Sequence, residues 1–408
     1  MTKKDLRACA KDLVGFHKRF APFFGRIECQ GHAFHYLQGL LLAPDRKSVE
    51  PMALQFADGN VVPMQRFLTR GVWDAADVQR EVQAVAAARL APSAAGAPEG
   101  AVLVIDESAF TKKGTHSVGV RRQHNGRLGK VDNCQVGVFL AYATPAGTAL
   151  ADHRLYLPKA WANDPDRRKA ARVPDDVRFR TKPELAGDLV ESVRANGLLP
   201  HDWIIADEAY GNNGTLLGRL ETMGERYLVE VPVSITVWTK DPATEIARAS
   251  GRGRPPSRPR RDSVRSVRDV AASLPRSAWQ TLQLRDGAKG PLVFEFAAVR
   301  VWQVRHRKPG PPSWLVIRRS LEDDPETKYY LSNANADVPR ATLAAVTGVR
   351  WRVEELFEDG KGFLGMRDYE ARAWTSWHHH MALVAVAHLF VTVTRTRLKK
   401  TNPPSRSR

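Results

Sequence analysis

Two short apolar runs, each followed by an aspartate, constrain the fold of this chain more than any other feature. Residues 101–105 (AVLVI) precede Asp106, and residues 203–206 (WIIA) precede Asp207. An unbroken apolar run of four or five residues is typical of a strand that is buried on both faces of a sheet. The two runs therefore predict a sheet covered by helices, with a carboxylate at the end of each buried strand.

The segments around these runs predict the rest of an α/β core. Thr181 and Glu184 can form a capping box at the start of a helix, and Gly197 can end that helix. The predicted strands are residues 101–105, 133–144, 148–157, 203–206 and 226–231, and the predicted helices are residues 182–196 and 213–223. The order of three strands, helix, strand, helix and strand predicts a mixed sheet with helices on its faces.

The first ninety residues predict a helical region. Apolar residues recur there at helical spacing, and Ser48 and Asp74 are plausible caps. The predicted helices are residues 5–20, 33–42, 48–57, 63–68 and 74–90. Helix, tight turn and helix in a basic chain are typical of a helix-turn-helix DNA reader, and a generic helical bundle fits the same pattern equally well.

Composition indicates a polyanionic partner. The chain has 62 basic and 44 acidic residues, which gives a net charge of +18. Nucleic acid is the first expectation and an anionic membrane surface the second. An apolar content of 43% excludes a mainly disordered chain, and three widely spaced cysteines exclude a disulfide framework. The apolar run at 381–393 is too short to span a bilayer, so we expect a cytoplasmic, nucleoid-associated protein without a membrane partner.

A strand-rich region with a basic loop follows residue 231. Residues 232–346 are irregular and strand-like, with a predicted turn at 309–312 (PGPP). Eight arginines lie between residues 248 and 268, among Gly, Pro and Ser, which predicts a mobile basic loop. Arg252 and Arg254 form an Arg-Gly-Arg-Pro core that suits a narrow A·T minor groove, although chance occurrence in such a loop is at least as frequent.

The two strand-end aspartates suggest a metal site. Two neighbouring carboxylates repel each other unless cations lie between them, and Mg²⁺ prefers carboxylate oxygens. Two such ions about 3.5–4 Å apart can activate water and stabilise the leaving oxygen of a phosphodiester. A single strand-end aspartate more often only caps the following loop, but Asp106 and Asp207 together in a basic chain favour a metal site.

A helix predicted at residues 350–362 offers a third ligand. Arg350, Glu354, Phe357 and Lys361 recur at helical spacing on one stripe, which places a carboxylate between two cations. The adjoining stripe is expected to face the core and consists of Val349, Val353, Leu356, Gly360 and Phe363. A solvated helix with internal ion pairs is the alternative, and Glu358 is the rival ligand. Residues 378–380 (HHH) are expected at the surface.

These motifs together resemble one family. Arg350, Glu354 and Lys361 match the R-E-K part of the YREK signature of cut-and-paste insertion-sequence transposases, which are DDE enzymes with an RNase H-like core. The segments around Asp106 and Asp207 are similar to one bacterial branch of that group. So are residues 178–186 (RFRTKPELA) and 365–372 (GMRDYEAR), and the resemblance covers about residues 33–390. Thr347 stands where the signature has its tyrosine, which holds the terminal DNA phosphate.

The resemblance implies the function and the site. Asp106 would be the ligand shared by two Mg²⁺ ions, for which Mn²⁺ can substitute, and Asp207 and Glu354 would complete the triad. Arg350, Lys361, Arg252 and Arg254 are the predicted DNA-binding residues. The enzyme would cut the ends of an insertion sequence and join the 3′-OH to target DNA, as a homodimer on double-stranded DNA. An inactive or domesticated DNA-binding relative, or a nuclease without strand transfer, remains the alternative.

The combined prediction is an α/β chain with an RNase H-like mixed-sheet core, a β-rich insertion and a helical N-terminal region. The predicted domains are a helical DNA-binding region at 1–90, the first part of the catalytic core at 101–231, the β-rich insertion with its basic loop at 232–346, the C-terminal core helices at 347–394 and a basic tail at 395–408.

Overall fold

The chain forms two compact units in a computed structural model. Unit 1 consists of Met1–Ala95, Ile105–Pro200 and Arg352–Arg408, and unit 2 consists of Gly96–Val104 and His201–Trp351. The structure describes residues 3–42, 46–92, 97–245, 262–287 and 290–401. The core of the basic loop, with Arg252 and Arg254, and the end of the basic tail lie outside the described residues.

The described helices include every helix predicted from the sequence, together with five short helices that were not predicted, at 159–162, 165–170, 208–211, 267–272 and 340–347. They are α1 (Lys3–Phe20), α2 (Ile27–Leu41), α3 (Val49–Phe56), α4 (Val61–Arg70), α5 (Ala75–Leu90), α6 (Lys159–Ala162), α7 (Pro165–Ala170), α8 (Lys182–Asn196), α9 (Glu208–Gly211), α10 (Gly214–Thr222), α11 (Val267–Ala272), α12 (Arg340–Thr347), α13 (Trp351–Phe363) and α14 (Trp374–Thr401).

The described strands include every strand predicted for the core. They are β1 (Val102–Thr111), β2 (Arg121–Asn125), β3 (Lys130–Thr144), β4 (Gly147–Leu155), β5 (Trp203–Ala206), β6 (Tyr227–Val231), β7 (Thr236–Trp238), β8 (Val264–Ser266), β9 (Gln280–Gly287), β10 (Gly290–Arg305), β11 (Lys308–Arg319) and β12 (Thr327–Ser332). The prediction missed β2, which is short and mostly polar. The predicted mixed α/β fold is confirmed.

Local capping signals in the sequence predicted several helix ends correctly. Asp74 caps α5 by accepting a hydrogen bond from the amide of Ala76, at 2.8 Å. Thr181 and Glu184 form the predicted capping box at the start of α8. Gly197 ends α8 in the left-handed conformation, with a φ of 63°. Ser48 occupies the cap position of α3 but makes no capping hydrogen bond through its side chain.

In unit 1, two glutamines of α5 satisfy the backbone of β4. The strand β3 pairs antiparallel with both β2 and β4. The amide of Gln79 donates to the carbonyl oxygens of Leu150 and Ala151, at 2.6 and 2.9 Å, and the amide of Gln83 donates to Ala151 at 2.9 Å. Buried carbonyls left without partners would be costly, so these amides hold α5 against the strand.

Unit 2 contains a sheet with the order β5-β6-β12-β11-β10-β7-β8, and β9 also pairs with β10. The pair β5 and β6 is parallel, whereas β6 pairs antiparallel with β12, so the sheet is mixed. The predicted turn at 309–312 is wrong, since those residues lie within β11. The chain instead turns at His306 and Arg307, whose φ values are 48° and 62°, as a two-residue hairpin requires.

The helix α14 forms the core of unit 1. It contacts β4, α5, α2 and α4. By length and composition alone, Trp374–Leu398 is the one described helical stretch that could cross a membrane, a criterion that a core helix also meets. Residues 379–389 are all buried inside unit 1. The helix α14 is therefore a core helix of this unit.

The expectation that residues 378–380 lie at the surface is wrong. His379 and His380 are 2% and 0% exposed. The ring nitrogens of His379 lie 2.8 and 2.9 Å from the carbonyl oxygens of Leu68 and Trp73, and the ring lies 3.6 Å from that of Trp73. His380 Nδ1 lies 2.8 Å from the hydroxyl of Tyr36. Packing with α2 and α4 therefore outweighs the polarity of the imidazoles.

We predict that unit 1 loses stability in mild acid. Burial lowers the pKa of His380 to about 3 and that of His388 to about 4, so both are neutral in the folded protein at neutral pH. The unfolded chain binds these protons near pH 6.5, so stability falls as the pH drops from about 6.5 towards 4. Each such group contributes up to about 1.4 kcal/mol per pH unit.

His388→Leu tests this expectation, because His388 Nδ1 is buried and has no hydrogen-bond partner among the described residues. Urea unfolding between pH 4.5 and 7 should give this variant a shallower pH dependence than the parent chain, by about one proton. The exposed His124 is the matched control, and His124→Leu should leave the slope unchanged. Equal slopes for the parent chain and His388→Leu would contradict the prediction.

Candidate active site

Asp106 lies in unit 1, directly after the buried part of β1. Residues 102–105 are buried, and Asp106 is the first residue of the strand with partial exposure. Its Oδ1 accepts a hydrogen bond from the amide of Glu107, at 2.7 Å. The apolar run anchors the backbone, and this hydrogen bond restricts the carboxylate. The prediction that Asp106 lies at the end of its strand is wrong, because β1 continues to Thr111 and Asp106 is its fifth residue. A rigid strand is still a suitable position for a catalytic group.

Glu107 has a separate structural role. Its carboxylate accepts from the ammonium of Lys182 at 2.6 Å, and both side chains are about one quarter exposed. Lys182 is the first residue of α8, directly after the capping residue Thr181. This ion pair connects β1 to α8 and so joins the segment at 178–186 to the strand that carries Asp106. Sequence reasoning missed the pair, because nothing in the spacing of 75 residues indicates a contact.

Asp207 lies in unit 2 and caps a short helix. It follows β5, and its Oδ1 accepts from the amides of Ala209 and Tyr210, at 3.0 and 3.4 Å. The expected cap is therefore present. A cap does not conflict with a ligand role, because the amides orient the carboxylate and leave it partly exposed.

Glu354 occupies the first turn of α13, on its exposed face. Glu355 and Glu358 are exposed as well, so exposure alone does not separate them. The buried residues of this helix are Val353, Leu356, Phe357, Gly360 and Lys361. Phe363 is 64% exposed, so its predicted place in the core is wrong.

Lys361 anchors α13 to the strand that carries Asp106. Its ammonium donates to the carbonyl oxygen of Ala109 at 3.0 Å and lies 5.2 Å from the centre of the Phe110 ring. Phe357, one turn earlier, packs against Phe139 with ring centres 5.3 Å apart. Both contacts lie within unit 1. The lysine of the R-E-K pattern therefore has a structural partner on β1, three residues after Asp106.

Arg350 and Thr347 lie in unit 2, just before α13. Arg350 Nε is 3.9 Å from a carboxylate oxygen of Glu230, which also pairs with Lys328 at 3.2 Å. Thr347 is 4% exposed, and its hydroxyl donates to the carbonyl oxygen of Ala344 at 2.7 Å. The residue at the signature tyrosine position is thus buried and engaged in its own helix.

The family described as DDE superfamily endonuclease matches residues 19–291, which is more than half of the chain. The chain belongs to this DDE endonuclease family. The matched range includes Asp106 and Asp207 and ends before Glu354. The family resemblance predicted from the sequence is confirmed, and the mixed α/β fold is consistent with the RNase H-like fold of DDE enzymes.

A curated relative supports the same family. The chain is 27% identical, over 201 residues, to a protein named as the probable transposase for insertion sequence element IS701 of Microchaete diplosiphon. The alignment covers 49% of this chain and 48% of the relative, so the chain spans about half the length of that protein.

Gly211 gives a direct test of how Asp207 is positioned. A Cβ at this residue would lie 2.0 Å from the carbonyl oxygen of Glu230 in β6, a backbone atom that cannot move aside cheaply. We expect Gly211→Ala to displace α9, destabilise unit 2 by roughly 1–3 kcal/mol and reduce any activity that depends on Asp207.

The matched control is Gly218→Ala in α10, where the nearest atom to a new Cβ is 3.9 Å away. Alanine is the better helix former, so this variant should be neutral or slightly stabilised. Denaturant unfolding of both variants measures the difference, and equal stability would show that α9 adjusts freely.

Proposed function

We propose that this chain is a DDE transposase, which cuts the ends of an insertion sequence and joins the freed 3′-OH to target DNA. The supporting observation is the placement of Asp106 directly after the buried part of β1, in a member of the DDE endonuclease family. Asp207 follows a second buried strand, and Glu354 lies on the exposed face of a helix anchored to β1. These three carboxylates are the proposed catalytic residues.

The spacing within unit 1 supports Glu354 as the partner of Asp106. Lys361 touches β1 at Ala109, which is about 10 Å along the strand from Asp106 at 3.3 Å per residue. Glu354 is seven residues before Lys361, which is about 10.5 Å along a helix. A helix that runs parallel to β1 would therefore carry Glu354 back to the level of Asp106.

We propose that Asp106, Asp207 and Glu354 hold two Mg²⁺ ions, which Mn²⁺ can replace. Their donor chemistry fits, because hard divalent cations take carboxylate oxygens. Among the described residues, no group of three His, Cys, Asp or Glu side chains is close enough to hold an ion. When bound, the ions would activate the attacking water and stabilise the leaving 3′-oxygen. The chain would orient these carboxylates through the Glu107 amide and the amides of α9.

The reaction would proceed in two displacements at phosphorus. The oxygen of water forms a bond to the phosphate at the end of the element, and the bond to the 3′-oxygen breaks to leave a 3′-OH. That hydroxyl then attacks a phosphate of target DNA, so that a new phosphodiester bond forms while the bond from this phosphate to a 3′-oxygen of the target breaks and leaves a 3′-OH on the target. Arg350 is the proposed phosphate contact, because a guanidinium matches the geometry of phosphate oxygens. Double-stranded DNA, a homodimer on that DNA and a cytoplasmic location are parts of the same proposal.

A DNA-binding relative without cleavage activity is the second candidate. The observation in its favour is Thr347, which is buried and donates to Ala344. A threonine in that position has no phenol to place against a terminal phosphate. A nuclease without strand transfer would share the whole site and would differ only in the fate of the 3′-OH.

We predict that Asp106→Asn, Asp207→Asn and Glu354→Gln each abolish DNA cleavage and leave DNA binding nearly intact. The loss of a metal ligand removes most of the stabilisation of the transition state, whereas phosphate contacts elsewhere persist. A cleavage assay with a parallel gel shift measures both effects. Glu358→Gln is the matched control, one helical turn away and equally exposed. Normal cleavage by Glu354→Gln together with loss in Glu358→Gln would assign the ligand to Glu358.

We also predict cleavage of DNA that carries the ends of the element in Mg²⁺, and none in EDTA, because the ions generate the nucleophile. A second duplex in the reaction separates the candidates. Joined products support a transposase, and breaks without joining support a nuclease. Binding without cleavage in Mg²⁺ on verified ends would rule out both enzymatic functions.

A further inference from the structure

Two sequence motifs form one cleft in unit 1. The end of β1 and the loop after it provide one wall, and residues 367–372 provide much of the other. The cleft has a volume of about 750 Å³ and begins at Ala109, three residues after Asp106. One wall belongs to the segment around Asp106 and the other to the segment at 365–372, and the proposed catalytic triad does not use the cleft between them.

A lysine and a tyrosine hold these walls together. Lys112 donates from its ammonium to the carbonyl oxygen of Tyr369 at 2.9 Å, and the same ammonium lies 3.5 Å from the centre of the Tyr369 ring. The Tyr369 hydroxyl donates to the side-chain oxygen of Gln135 in β3, at 2.8 Å. Burial lowers the pKa of Lys112 to about 8, and Glu370 and Asp368 oppose that shift. Lys112 is thus a structural part of the wall.

The cleft has an excess of positive charge. Six lysines and arginines line it, against two acidic residues, Asp368 and Glu370. Arg46 pairs with Glu370, and Arg367 lies 3.8 Å from Asp368. Both acids are therefore already matched by cations.

Two cations of the cleft have no side-chain partner among the described residues. Lys113 and Arg372 are exposed, and their side chains make no ion pair or hydrogen bond within the part of the chain that the structure describes. They lie on opposite walls. Exposed cations that face one cleft attract an anion, and the backbone phosphates of a nucleic-acid strand are anions of this kind.

We propose that this cleft binds the phosphate backbone of a single DNA strand beside the cleaved bond, through Lys113 and Arg372. The inference rests on the proposed function for the identity of its ligand. Its location supports a DNA strand, since β1 carries Asp106 and the cleft starts about 10 Å farther along the same strand. A strand that leaves Asp106 in this direction would pass between the two walls.

The test uses the full chain in EDTA, so that binding is measured without cleavage. The probes are a labelled duplex of mixed sequence with a single-stranded 3′ tail and the same duplex with blunt ends. The variant is Lys113→Ala with Arg372→Ala. The control is Lys159→Ala with Lys169→Ala, which removes the same charge from exposed lysines of unit 1 that do not line the cleft.

We expect the cleft variant to bind the tailed duplex about tenfold more weakly at low salt and to bind the blunt duplex much as before. The slope of log K against log salt should fall by about 1.4 for the tailed duplex, because each contact to a single strand contributes about 0.7. The control should leave the slope unchanged. Thermal unfolding verifies that both variants fold, and Lys113→Gln with Arg372→Gln repeats the test with larger side chains.

Three results would overturn the proposal. They are unchanged affinity in the cleft variant, an equal loss in the control, and an equal loss for both duplexes. Unchanged affinity would indicate that the positively charged cleft binds an acidic protein segment and not DNA. If the chain cuts DNA normally but fails this test, only the proposed role of the cleft is wrong. If the chain passes this test but never cuts DNA in Mg²⁺, only the proposed enzymatic function is wrong.

Discussion

Burial of α14 is the constraint on which unit 1 depends. This helix contacts both the N-terminal helices and β4. The core of unit 1 therefore forms between segments that are far apart in the sequence. Gly147 lies so close to it that a Cβ there would meet the side chain of Thr392 at 2.5 Å. The imidazoles of His379 and His380 satisfy carbonyl and hydroxyl groups of the N-terminal region and thereby fix how the helix is seated.

The sequence predicted the features that depend on neighbouring residues. The bounds of α8 and β5 were correct, because a capping box, a terminal glycine and an unbroken apolar run are local signals. The turn at 309–312 was wrong for a related reason. Its prolines resemble a turn signal, yet His306 and Arg307 adopt positive φ values that few non-glycine residues take, and sequence rarely indicates this.

Contacts across long separations could not be predicted. Three successive histidines are as polar as typical surface residues. Their burial becomes favourable only because other helices pack around them. Lys361 illustrates the same limit within the candidate site. Helical spacing placed it beside Glu354 as a cation for phosphate, whereas its ammonium reaches a backbone carbonyl of β1. The two aspartates could be selected from sequence, since each directly follows an unbroken apolar run, whereas the continuation of β1 beyond Asp106 to Thr111 was not predicted.

The place of α14 at the end of the described chain has a consequence for synthesis. A ribosome that adds about 5–20 residues per second needs about 15–60 s to pass from the end of α5 to the end of α14. During that interval the apolar faces of α2, α4 and α5 lack the helix that covers them. A nascent chain would therefore expose these faces to chaperones, and unit 1 could reach its final core only after α14 has been synthesised.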